Sequence, residues 1–153
     1  MNLPDGNPRA VAIVSAIRDG DVTRVRQLLA EDAALATARI VDARGADRSL
    51  LHIVSDWPGH FPNGGEMVAV LIAAGADPHA RVGRTPAPET PLHWAASSDD
   101  VAVLDALLDG GADIEAPGAV FTGGPAMSDA VVFAQWNAAR RLLARGARTT
   151  IWE

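Results

Sequence analysis

The sequence predicts an all-α fold, a solenoid of stacked helical hairpins joined by finger-like turns. Three observations carry that prediction. One apolar spacing recurs four times along the 153 residues. Glycine closes three of the four helices that carry it. The closing glycines Gly75, Gly111 and Gly146 are 36 and then 35 residues apart, the regularity expected of a repeat architecture.

The apolar spacing is i, i+3, i+6, i+7, one buried stripe on a helix of 3.6-residue period. It is formed by Val22, Val25, Leu28 and Leu29 in "VTRVRQLL" and by Gly65, Val68, Leu71 and Ile72 in "GEMVAVLI". It returns as Val101, Leu104, Leu107 and Leu108 in "VAVLDALL", and as Trp136, Ala139, Leu142 and Leu143 in "WNAARRLL". Trp136 is therefore expected in the core. The endings "AAGAD", "DGGAD" and "ARGAR" place glycine just past the last leucine, where a left-handed stop needs a residue without Cβ. The first helix ends instead at "AEDAAL", so the first unit is atypical. A shorter helix precedes each later one, in "SLLHIVS" (49–55), "TPLHWAASS" (90–98) and "PAMSDAVV" (125–132). Pro91 and Pro125 suit helix starts, where the missing N–H has no partner to lose.

These motifs resemble the ankyrin repeat. "ETPLHWAASSDDVAVLDALLDGGADIEA" (89–116) follows that family's pattern nearly throughout, and the motif is specific. The unit at 48–80 matches with "LLH" and "LIAAGADPHA" around an insertion. The unit at 124–148 matches more loosely, with Ser128 where histidine is usual. Residues 16–32 resemble a degenerate first repeat. The resemblance implies one ankyrin-repeat domain over 1–153 of a small, stand-alone, bacterial type. Its repeats fall at about 8–44 (a degenerate cap), 45–84, 85–120 and 121–153. It also implies a binding module for a protein or peptide, with the front of inner helices and fingers as the binding surface. Function must still be argued from the residues placed there.

Composition narrows the chemistry. The chain has no cysteine, which removes disulfides, thiolate catalysis and cysteine-ligated metal. All 13 basic residues are arginine, which removes Schiff-base and P-loop lysine chemistry. A net charge of −6 disfavours nucleic acid and anionic membrane as partners, and makes a basic partner the better match. No apolar run reaches a membrane span and "MNLPDGNPRA" lacks a signal peptide's segments, so a cytoplasmic location is expected. No cofactor and no metal are expected. The expected state is a monomer, with self-association through the C-terminal end kept open because Trp152 reads like the start of a further helix.

His52 and His93 occupy the histidine of the family's TPLH motif, which implies backbone hydrogen bonds between neighbouring units rather than metal binding. Alignment on the "GA" endings makes Ile53, Trp94 and Asp129 equivalent, and likewise Asp56-Trp57, Ser97-Ser98 and Val132-Phe133. Stacking brings Asp56, Trp57, Trp94, Ser98, Asp129 and Phe133 onto one strip. His52 to His93 spans 41 residues against 35 from His93 to Ser128, so "PGHFP" (58–62) is an excess loop. It is expected to project from its hairpin, carrying His60 and Phe61 beside Asp56 and Trp57. Loops on a rigid scaffold commonly carry function.

Three readings of this loop stay open. Trp57 and Phe61 pin it to the stack. Alternatively two indoles among Asp56, Asp99 and Asp100 trap a cationic or extended peptide, since tryptophan faces attract cations and anchor hot spots. The third reading pairs His60 with Asp56 or Asp129 as a general acid/base couple in a small-molecule pocket. The fingers add a small basic spot at His79, Arg81 and Arg84, and an exposed Val120-Phe121. The expected function is non-enzymatic recognition through Asp56, Trp57, His60, Phe61, Trp94, Ser98, Asp99, Asp129 and Phe133. The small-molecule or acid/base pocket is its alternative.

Overall fold

A computed structural model describes residues 1–82 and 88–149. Eight α-helices are described: α1 Pro8–Arg18, α2 Val22–Glu31, α3 Leu50–Ser55, α4 Gly64–Ala73, α5 Pro91–Ser97, α6 Val101–Asp109, α7 Ala126–Val132 and α8 Trp136–Ala144. Each odd helix packs on the even helix that follows it, giving four hairpins. The odd helices form one row, α1 on α3 on α5 on α7. The even helices form a second, α2 on α4 on α6 on α8. None is long and apolar enough to cross a membrane.

Local chemistry sets the helix ends. Asp21 caps α2 by accepting the Arg24 N–H at 2.8 Å, and Asp100 caps α6 by accepting the Val103 N–H at 3.2 Å. Ser49 does the same for α3, accepting from His52 N at 3.3 Å. Pro91 opens α5 as expected, whereas Pro125 sits one place earlier, as the cap of α7. At the other ends Gly75, Gly111 and Gly146 hold φ of 103°, 94° and 94°, the left-handed stop that the sequence called for.

An inner helix is flanked on two sides and backed by its partner, so it buries nearly everything. Leu50, Leu51, Ile53 and Val54 of α3 are all at most 1% exposed. Outer helices bury one stripe, and Val25, Val68, Leu71, Leu104, Leu107 and Leu142 lie in it. Each such side chain contributes about 1.5–3 kcal/mol through removal from water.

Two expectations need correction. The chain is not purely helical: β1 Asn2–Pro4 pairs in parallel with β2 Arg39–Val41, which pairs antiparallel with β3 Asp47–Ser49. The finger after the first hairpin thus folds as a β-turn ribbon. Asp42 accepts the N–H groups of Arg44 and Ala46, both at 2.9 Å, Gly45 takes φ 81°, and Arg39 pairs with Asp47 across the strands at 2.8 Å. Trp136 is the second correction. It is 54% exposed at the start of α8, because no described element packs on the outer side of the last hairpin. Arg84 and Trp152 lie outside the described residues.

The insertion departs from expectation as well. It does not project; it straps its hairpin to both neighbours. Gly59 lies so close to the third hairpin that a Cβ there would sit 2.9 Å from Ser98 Cβ. Past it, His60 donates its backbone N–H to Asp100 Oδ2 at 2.7 Å, and its Nε2 meets the Ser98 carbonyl at 3.0 Å. On the other side Pro62 presses against Gly20, whose φ of 68° and lack of Cβ leave the space, and Asn63 Nδ2 donates to Gly20 O at 2.9 Å.

Candidate functional site

The C-terminal ends of α3, α5 and α7, with residues of the adjoining fingers, border a solvent-open groove of about 240 Å³. Ser55, Asp56, Trp57, Glu89, Trp94, Ser97, Ser98, Val120 and Phe133 line it. Five of the nine residues singled out from the sequence therefore meet at one place: Asp56, Trp57, Trp94, Ser98 and Phe133.

Their roles differ with their surroundings. Trp57 follows the α3 cap and stands 81% exposed, with its ring free along the groove. Phe133 is 41% exposed and packs against Phe121 of the finger, ring centroids 5.9 Å apart. Trp94 is half-buried, edge-on to the His52 ring at 5.1 Å, so it belongs to the interface between hairpins as much as to the groove. Asp56 is held by Arg48 at 2.9 Å and by Arg18 at 3.8 Å. Glu89 is a half-buried groove carboxylate; burial raises its pKa, and a hydrogen bond from the Trp94 indole partly offsets that. Sequence reasoning passed over Glu89, although an acidic residue directly before TPLH was the visible signal.

Four predicted residues are not in the groove lining. His60 and Asp99 are tied into the stack. His60 meets Ser98 and Asp100 rather than Asp56 or Asp129, so the acid/base couple of the alternative reading is not formed. Asp99, at φ 56°, reaches the next hairpin, where Oδ1 accepts the Ala138 N–H and Oδ2 the Asn137 side chain, each at 2.7 Å. It thereby caps α8, whose own cap Gln135 supplies no side-chain bond. Phe61 is half-buried in the strap. Asp129 lies behind the groove wall, 1% exposed, with Oδ1 accepting the Val120 N–H at 3.1 Å and Oδ2 buried without a partner. Burial pushes its carboxyl up to about 7, and the nearby Glu89 charge adds to the rise.

The two motif histidines do what the resemblance implies. His52 Nε2 reaches the Glu89 carbonyl at 3.3 Å and His93 Nε2 the Gly124 carbonyl at 3.2 Å, each crossing to the next hairpin. Their Nδ1 atoms accept from Ser49 and Thr90 hydroxyls at 2.7 and 2.8 Å. Burial lowers both pKa values, to about 3 and about 4, so both rings are neutral. Of the basic spot on the second finger, Arg81 is engaged within the stack. Arg81 NH1 donates to the Pro88 carbonyl at 3.0 Å and to the Pro117 carbonyl of the next finger. Among the described residues, no group of three or more histidine, aspartate or glutamate side chains is arranged to hold a metal ion.

The geometry so far is that of repeated helical hairpins joined by histidine-to-carbonyl bonds. The family model for the ankyrin repeat matches residues 89–119. That stretch is an ankyrin repeat. The matched stretch contains α5, α6 and the finger carrying Ala119, with Glu89 and Trp94 of the groove inside it. Ankyrin repeats are in general protein–protein interaction modules without catalytic function. No curated protein matches the chain.

Proposed function

We propose that this protein recognises a protein or peptide, basic in character, through the concave front of a four-repeat solenoid. On this reading residues 1–153 form one domain, with repeats at about 8–44, 45–84, 85–120 and 121–153 and the first acting as cap. It works as a cytoplasmic monomer without enzymatic activity. The observation that carries the reading is Trp57: a large aromatic ring, 81% exposed, on the rim of an open groove with Phe133. Aromatic anchors of this kind dominate interface energetics. The small-molecule alternative is disfavoured by the open shape and by the engagement of His60 with Ser98.

The experiment is capture of partners from the native host with the wild type and Trp57→Ala, followed by titration of the retained partner. Loss of roughly 2 kcal/mol or more on Trp57→Ala is expected of a hot spot. Equal affinity of both forms for a verified partner rejects the groove as its binding surface. Trp57 is the better probe than Trp94, whose contact with His52 would mix stability into the result.

A further inference from the structure

Glu89 breaks a local pattern. Four residues before the motif histidine, the preceding hairpin carries Arg48, and Arg48 pairs with Asp56 just past its own inner helix at 2.9 Å. In the next hairpin the equivalent pair is Glu89 and Ser97, so the arginine–aspartate pair has no counterpart there. Among the described residues Glu89 forms no ion pair, and its only side-chain partner is the Trp94 indole. A second carboxyl, Asp129, lies behind the Val120 wall with one oxygen buried and unpartnered. The walls of the same groove are aromatic: Trp57, Trp94 and Phe133. Half-buried carboxylates are normally paired, and aromatic faces attract cations, so groove and charge ask for the same thing.

We propose that this groove receives one arginine side chain of the partner, its guanidinium on Glu89 and its flat face against Trp57 and Phe133. The inference rests on the concave-face reading and specifies its chemistry. Arginine suits it better than lysine. A planar guanidinium stacks on rings and offers a carboxylate two parallel N–H bonds, whereas an ammonium offers a hydrated point charge. About 240 Å³ of open groove holds a side chain and no folded element.

The test uses the full chain, ¹⁵N-labelled, and capped pentapeptides of glycine and serine around a central arginine, lysine or citrulline. Tryptophan indole N–H shifts report binding. The arginine peptide is expected to shift the Trp57 signal saturably, lysine more weakly, and the neutral isostere citrulline not at all. Glu89→Gln should weaken the arginine peptide tenfold or more while keeping the peptide-free spectrum of a folded chain. Phe133→Ala, which removes a wall and keeps the charge, should weaken it independently. Citrulline binding as well as arginine, an unchanged affinity in Glu89→Gln, or no shift with any peptide overturns the proposal. A neutral peptide that binds equally, and is lost in Trp57→Ala, overturns the arginine assignment alone and leaves the concave-face reading standing.

Discussion

Asp129→Asn should make the protein more stable, and increasingly so as pH rises. The carboxyl is 1% exposed, with one oxygen on the Val120 N–H and the other without a partner. Its pKa rises from 3.8 to about 7 on folding. Between those values the native state binds more protons than the unfolded chain, so stability falls with rising pH. At about 1.4 kcal/mol per unit, the charged carboxylate costs roughly 4 kcal/mol above pH 7. Below pH 3.8 it costs nothing, because both states are neutral. Asparagine keeps the acceptor for Val120 and never ionises, so the variant's advantage should grow by about 2–3 kcal/mol between pH 5 and pH 8. Urea denaturation followed by tryptophan fluorescence at those two values measures it. A difference between variant and wild type that is flat with pH would refute burial of an ionisable Asp129.

Other perturbations follow from contacts already described. His52 and His93 have opposite linkage to Asp129: unfolded imidazoles protonate near 6.5 and the folded ones only near 3 and 4. Stability from this source is full above pH 6.5 and is lost as pH falls, by about 1.4 kcal/mol per unit for each ring. In the Asp129→Asn background the acid loss should therefore be steeper than in the wild type, and His93→Gln should halve the histidine contribution. Asp99→Ala removes the cap of α8 supplied from the neighbouring hairpin and should cost about 1–2 kcal/mol in urea melts. Gly75→Ala meets only the cost of a positive φ, with open space around the new Cβ, and should lose about 1–2 kcal/mol. Gly59→Ala adds a clash 2.9 Å from Ser98 Cβ to its φ of 74°, and should lose about 2–4 kcal/mol. Equal melting points for the two alanine variants would argue against the close approach of Gly59 to Ser98.

The helices were legible because their signals are local. Leucine spacing, a glycine stop and a proline at a helix start each act within one or two turns, and α4, α5, α6 and α8 show one or more of them. What was not legible depends on which neighbour is present. Trp136 satisfies the stripe spacing, yet a stripe position is buried only where a neighbouring element covers it. The three-stranded sheet depends on Asn2–Pro4 finding Arg39–Val41, a pairing between distant segments that neither announces alone. In the groove, Asp56, Trp57, Trp94, Ser98 and Phe133 came together because repeat equivalence fixes position along the stack. It says nothing of side-chain partners, so Asp99 and His60 looked available for a ligand while each was serving the adjacent hairpin. Glu89 went unread because its significance is a missing partner, which only the assembled neighbourhood displays.

The strap at 58–63 carries a thermodynamic consequence. In an ordinary linear array each unit contributes its own small term and shares one interface with the next, so such arrays tend to fray from either end. Here the second hairpin grips the first through Pro62 and Asn63 and the third through Gly59 and His60. Those three hairpins should melt as one cooperative block, because opening either boundary disrupts the same short segment. The fourth is held to the block by Asp99 and by Gln135 on the Ser97 carbonyl at 3.0 Å. Amide exchange should therefore be slowest in α3 and α5 and fastest in α8, placing Trp57 on the most rigid part of the chain and Phe133, across the groove, on the part that opens first.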